Sequence, residues 1–166
     1  MMADTASLLT AASGHRADGQ YEHSLAAHLE LRTAAQAAGD RTAEVAALYG
    51  VAQSFQGLHD TRQAQAYAWA VVGLASDSGG AARFATQMVQ AYGLLGATYL
   101  EDGHGSQGRS CLAKALHLFR NATPAADKTL LREMRVAHLL SRLLREFPQE
   151  FQALASEIDL VGMGLA

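Results

Sequence analysis

The sequence predicts an all-α protein built as an array of helical hairpins, and three observations carry that expectation. Alanine and leucine are abundant, β-branched residues are sparse, and only two prolines, Pro124 and Pro148, interrupt the chain. Such a composition favours helix over strand. Apolar residues recur at helical spacing, most clearly Tyr92, Leu95, Gly96 and Tyr99 at i, i+3, i+4 and i+7. Turn markers also recur, Gly19 to His59 over 40 residues and His59 to Gly103 over 44, a period suited to a helical solenoid.

Each element then has its own justification. Asp4 or Ser7 is placed to cap a first helix carrying Leu8, Leu9, Ala11 and Ala12, which gives out near Gly14 before an Asp18-Gly19-Gln20 turn. The second helix runs from Tyr21 to about Ala38 with a stripe of Tyr21, Leu25, His28 or Leu29, Leu31 and Ala35, and stops at Gly39-Asp40. The third carries Val45, Leu48, Val51, Ala52 and Phe55, and the fourth, capped by Asp60, carries Ala64, Tyr67, Ala68, Val71 and Leu74. Ser76-Asp77-Ser78-Gly79-Gly80 ends it as a linker. A long fifth helix spans about Ala81 to Asp102, and Gly103 and Gly105 separate it from a sixth, about Ser106 to Arg120. Thr123-Pro124 reads as the start of a seventh that continues to about Glu146; its many leucines predict burial on two sides. Phe147-Pro148 ends that helix, and an eighth element with Phe151, Leu154, Ala155 and Ile158 leads into a terminal Val161-Gly162-Met163-Gly164 tail.

Aligning the turns pairs Leu8, Ala11, Ala12 and His15 with Leu48, Val51, Ala52 and Phe55 and with Tyr92, Leu95, Gly96 and Tyr99. After the turns, Ser24, His28 and Leu31 pair with Ala64, Ala68 and Val71 and with Gly108, Leu112 and Ala115. This pattern resembles the tetratricopeptide repeat: an aromatic, a leucine, a small residue and an aromatic, then a Gly-Asp turn, then alternating small and large apolar residues. The phrase Gly19-Gln20-Tyr21-Glu22-His23-Ser24-Leu25-Ala26, followed by Ala38-Gly39-Asp40, resembles the long-helix variant found in bacterial regulatory proteins. The resemblance covers about residues 5–121. It implies a single domain over 1–166 forming a right-handed α-α superhelix, with hairpins at about 5–38, 41–77 and 81–121 and a degenerate or capping pair at about 125–160. Gly108 in place of alanine and His59 in place of the turn glycine depart from the pattern.

Such an array implies a scaffold whose first helices line a concave groove. The positions beside the packing stripe are Leu9, Ser13 and Arg16, then Tyr49, Gln53 and Gln56, then Gly93, Ala97 and Glu101. The family's carboxylate clamp needs lysine and asparagine at such sites. Leu9 and Ser13, Tyr49 and Gln53, and Gly93 and Ala97 stand there instead, so an apolar or weakly polar peptide is the expected ligand.

Charge and chemistry narrow the classes further. A net charge of −3 with no Lys/Arg run argues against nucleic acid. The Met1-Met2-Ala3-Asp4 start lacks a basic region ahead of an apolar core, and no run approaches a membrane span. The single cysteine, Cys111, rules out an intrachain disulfide and suits the cytoplasm. His23 and His28 are five apart, off the i, i+4 spacing of paired helix ligands, so no metal or other cofactor is expected. His59 and His104 read as turn residues, His117 and His138 as structural ones, and Cys111 as a buried thiol. Tyr67 and Trp69 are candidate anchors, though aromatics at this spacing are more often core. Arg132, Arg135, Arg142 and Arg145, interleaved with Glu133 and Glu146, read as a solvated face.

No acid, base and nucleophile set converges, so the expected function is non-enzymatic: an adaptor binding a peptide or helix of a partner. The alternatives are a homodimer formed through the end faces of the array, and a peptide- or metabolite-sensing regulatory domain. Leu154 and Ile158 discriminate between the first two, since a cap buries them within the chain and a dimer buries them across an interface.

Overall fold

The computed structural model describes residues 4–123 and 128–165. Every regular element among them is a helix: α1 (Thr5–Ala17), α2 (Tyr21–Ala38), α3 (Arg41–Gly57), α4 (Thr61–Asp77), α5 (Ala81–Glu101), α6 (Gly105–Ala122), α7 (Thr129–Glu133), α8 (Val136–Glu146) and α9 (Pro148–Glu157). The chain divides between Ser78 and Gly79 into two compact units, α1 to α4 and α5 to α9. None of these helices is long and apolar enough to cross a membrane.

In the first unit each helix packs on its sequence neighbour, and α1 also packs on α3. Asp40 and Asp60 accept hydrogen bonds from the Ala43 and Gln63 backbone N–H groups at 3.0 and 3.1 Å, satisfying first-turn donors of α3 and α4. Asp4 stands at the N-cap of α1 but makes no such bond with its side chain. On α2 the core face is Ser24, His28, Leu31 and Ala35, while Leu29 is 37% exposed. His28, not Leu29, is therefore the stripe residue.

The three hairpin turns share one geometry. Gly19, His59 and Gly103 all take positive φ, at 74°, 61° and 80°. Each following N–H reaches back to the residue five earlier: Gln20 to His15, Asp60 to Phe55, and His104 to Tyr99. This is a Schellman-type closure, which favours glycine, and His59 adopts it despite its Cβ. The repeat alignment is visible in burial as well. Ser24, His28 and Leu31, their counterparts Ala64, Ala68 and Val71, and Gly108, Leu112 and Ala115 are all buried. First-helix positions are less uniform: Ala11 is exposed and Leu8 half-buried, whereas Leu48, Val51, Leu95 and Gly96 are buried. Among the described helices α1 packs chiefly on α2 and, less extensively, on α3.

In the second unit α5 and α6 form the main hairpin, and α8 and α9 pack back against α6. The core gathers Val89, Leu100, Leu112, Leu116, Leu131, Val136, Leu140, Leu143, Leu154 and Ile158. Gly96 abuts the Gly108 carbonyl and Leu112, where a Cβ would still find ordinary space at 3.4–3.5 Å. The tight position is Gly108: a Cβ there would sit 2.8 Å from Leu100 Cγ. The close helix approach is thus set by the glycine of α6 more than by that of α5.

The expected single seventh helix is two. Arg135 takes left-handed φ/ψ of 55° and 40° and separates α7 from α8. The arginine row is broken at that point, because Arg132 and Arg135 no longer share a helical register with Arg142 and Arg145. Two-sided burial is also corrected: Val136, Leu139, Leu140 and Leu143 are buried, but Ala137 and His138 are exposed and Leu144 is 52% exposed. A break just before Val136 turns one face of a short helix onto the core and leaves the other in water. Pro124 lies outside the described residues; Thr123 ends α6, its hydroxyl donating to the Phe119 carbonyl. Leu154 and Ile158 are 0% and 3% exposed within the second unit's core.

Candidate functional site

On the surface expected to bind a partner, the structure places Leu9, Ser13 and Arg16 on α1 and Tyr49, Gln53 and Gln56 on α3, two helices in contact. All six are half-buried. That is the state of residues flanking a helix–helix seam: their stems are held by packing while part of each side chain meets water. The combination offers one aromatic ring, two amides, a hydroxyl, a guanidinium and an aliphatic side chain. Nothing in this set is a nucleophile beside a base.

The second unit treats its three positions differently. Glu101 is exposed and Ala97 half-buried against the core, but Gly93 is buried. Met134 covers it: a Cβ on Gly93 would come 2.4 Å from Met134 Cε. Gly93 is therefore closed over from within its own unit, because the chain after α6 folds back onto α5.

Sequence reasoning missed a hydrogen-bonded polar cluster buried between α2 and α3. Ser54 Oγ donates to the Gly50 carbonyl at 2.7 Å, which uses its only proton. Ser24 Oγ, 2.8 Å from Ser54 Oγ, must then be the donor in that contact. Ser24 Oγ in turn accepts from His28 Nδ1 at 3.2 Å, and the same ring nitrogen donates to the Ser24 carbonyl at 2.8 Å. Proton counting fixes the imidazole as the Nδ1–H tautomer, with Nε2 unprotonated against the α3 backbone at Gly50. Ser24, His28 and Ser54 are 0%, 2% and 0% exposed. A serine and a histidine in hydrogen-bond contact are the start of a nucleophile–base pair, but no substrate reaches this one, and its hydroxyl proton points at another serine. Its role is to hold α2 on α3.

The imidazole is kept neutral there. Burial lowers its pKa below the usual 6.5, the hydrogen bond to the Ser24 carbonyl opposes this, and the Arg16 charge adds a smaller lowering. The unfolded chain thus takes up a proton at a pH where the folded chain does not, so folding is favoured above the ordinary imidazole pKa. That contribution is lost as pH falls through 6.5 toward the lowered folded value. Urea midpoints followed by the fluorescence of Trp69, the chain's one tryptophan, are expected to fall between about pH 8 and about pH 5. His28→Gln should flatten that part of the profile.

The signal that could have revealed the cluster is a pairing of large with small. Tyr21 and His28 on α2 are seven apart, as are Gly57 and Gly50 on α3, and the pairs meet antiparallel. A Cβ on Gly57 would lie 2.3 Å from Tyr21 Cδ1, and one on Gly50 would lie 1.9 Å from His28 Cδ2. Two bulky rings lie on two glycines, with Ser24 opposite Ser54 between them.

Other candidates fall into place. Burial pushes the Cys111 thiol up to about 11, so little thiolate forms near neutrality. Among the described residues no group of three or more His, Cys, Asp or Glu side chains is arranged to hold a metal ion. Tyr67 stacks on Phe55 with ring centroids 5.6 Å apart, whereas Trp69 is 43% exposed. Comparison with protein-family models, with curated proteins and with solved structures gives no match.

Proposed function

We propose that the protein is a non-enzymatic interaction module of tetratricopeptide-like hairpins, which takes a peptide or helix of a partner protein on the surface formed by α1 and α3. The observation that supports this most is the half-buried row Leu9, Ser13, Arg16, Tyr49, Gln53 and Gln56 on two adjacent first helices. Side chains already ordered by packing lose little further freedom on binding, and an aromatic among amides suits an extended or helical peptide of low charge. Right-handed superhelical stacking, a cytoplasmic setting and a peptide rather than nucleic acid as ligand belong to the same reading. The burial of Leu154 and Ile158 in the second unit favours it over a dimer formed through those residues.

A displayed random-peptide library selected on the full chain tests the reading. Selected peptides are expected to lose at least about tenfold in affinity with Tyr49→Ala/Gln53→Ala, a loss of about 1.4 kcal/mol. The variant must keep its helical circular dichroism. Peptides that bind the folded variant as well as the parent would remove the α1/α3 surface from the proposal.

A further inference from the structure

The second unit holds a cavity of about 220 Å³ between the end of α6, the start of α7 and the turn after α9, lined by Phe119, Arg120, Lys128, Leu131, Asp159, Gly162 and Met163. Its lining is sorted by polarity. Phe119 and Leu131 are 6% and 5% exposed and belong to the core, with Met163 half-buried beside them. Arg120 and Lys128 also line it and are exposed to water. Arg120 is in the last turn of α6, where the helix dipole favours a cation. Neither Arg120 nor Lys128 has an ion-pair partner among the described residues.

The one carboxylate among the described lining residues is already hydrogen-bonded. Asp159 Oδ1 accepts from the Gly162 N–H at 2.8 Å, and its other oxygen lies 2.1 Å from where a Gly162 Cβ would be, so the group is folded onto its own turn. Among the described lining residues, two cations against one carboxylate leave a net positive charge, on a chain whose net charge is −3. The two side-chain cations among these residues favour an anion, and their full charges must outweigh the partial negative charge at the C-terminal end of α6. The apolar floor adds a second requirement: a bare inorganic anion leaves Phe119, Leu131 and Met163 unused. An apolar cavity of about 150 Å³ holds one benzene, so this one suits a body of about six to eight carbons.

We propose that this cavity binds a small monocarboxylate with an apolar tail, its carboxylate at Arg120 and Lys128 and its tail on Phe119, Leu131 and Met163. Charge-assisted contacts set the orientation, and burial of the tail supplies most of the affinity. The site is built from residues of the second unit and does not depend on the peptide-binding reading.

Octanoate, 1-octanol and acetate titrated into the full chain, followed by calorimetry and methionine and leucine methyl NMR, test it. Octanoate is expected to saturate with shifts at Met163 and Leu131, and to bind at least about tenfold more tightly than octanol or acetate. Arg120→Gln/Lys128→Gln, at two exposed positions, should weaken octanoate about tenfold while leaving octanol binding and the circular dichroism unchanged. Octanol binding as tightly as octanoate would reduce the site to an apolar hole, acetate doing so would reduce it to a surface anion contact, and octanoate showing no saturation would leave no site at all. Any of the three overturns the proposal.

Discussion

Gly50→Ala is expected to destabilise the first unit by about 2–4 kcal/mol, although the same substitution in an open helix is stabilising. The cause is the His28 ring. An alanine Cβ would fall 1.9 Å from Cδ2 and 2.1 Å from Nε2, inside the ring's own volume. His28 cannot move aside cheaply, because Nδ1 is fixed by the Ser24 carbonyl and the ring is 2% exposed. Displacing it would also strand the hydroxyl chain that runs from Ser24 through Ser54 to the Gly50 carbonyl. Gly73→Ala on α4 supplies the contrast. Apart from its chain neighbours and its own helix backbone, no described heavy atom lies within 4 Å of its Cβ position, so that change should stabilise by roughly 0.5–1 kcal/mol through helix propensity alone. Trp69 lies in the same unit, and its fluorescence in urea reads both variants. Combining Gly50→Ala with His28→Ala should cost less than the two single changes added, the mark of direct contact. Equal stability of Gly50→Ala and the parent would mean that the imidazole does not rest on α3.

The hairpins were legible because their signals are local. Aspartate caps at Asp40 and Asp60, glycine stops at Gly19, Gly39 and Gly103, and apolar residues at helical spacing each act within one or two turns. The repeat alignment extended this for the second helix of each pair, since the positions matched after the turns took matching burial. Distant or compensating effects were harder. His28 passed as an alternative to Leu29, and only Gly50, 22 residues further on and facing it from α3, shows why a ring fits there. Nothing in the run from Thr129 to Glu146 marks Arg135 as the residue that leaves the helix, because no glycine, proline or asparagine stands at the break. The covering of Gly93 was illegible for a related reason. Positions beside a packing stripe are open only where no later segment covers them, and Met134, 41 residues beyond Gly93 in the chain, closes that one.

Leu154→Glu is expected to unfold the second unit, not to separate two copies of an intact chain. Leu154 is 0% exposed and packs in a core with Leu112, Leu140 and Leu143. A carboxylate there loses the leucine's burial and must either stay charged in an apolar site or bind a proton, at a combined cost of several kcal/mol, comparable with the stability of a small domain. Leu154→Ala, which only empties space, should cost about 2–5 kcal/mol. Leu144→Glu on α8 is the matched control: its side chain is 52% exposed, and a charge there should change stability by no more than about 0.5 kcal/mol. Cys111 provides the readout, being the chain's single cysteine, 5% exposed and in this unit. Its labelling by a thiol reagent should be slow in the parent and in Leu144→Glu, faster in Leu154→Ala and immediate in Leu154→Glu, at every protein concentration. The concentration series carries the argument. If α9 instead completed its core from a second copy, Leu154→Glu would leave a folded monomer with a protected thiol, and the parent's labelling rate would rise on dilution.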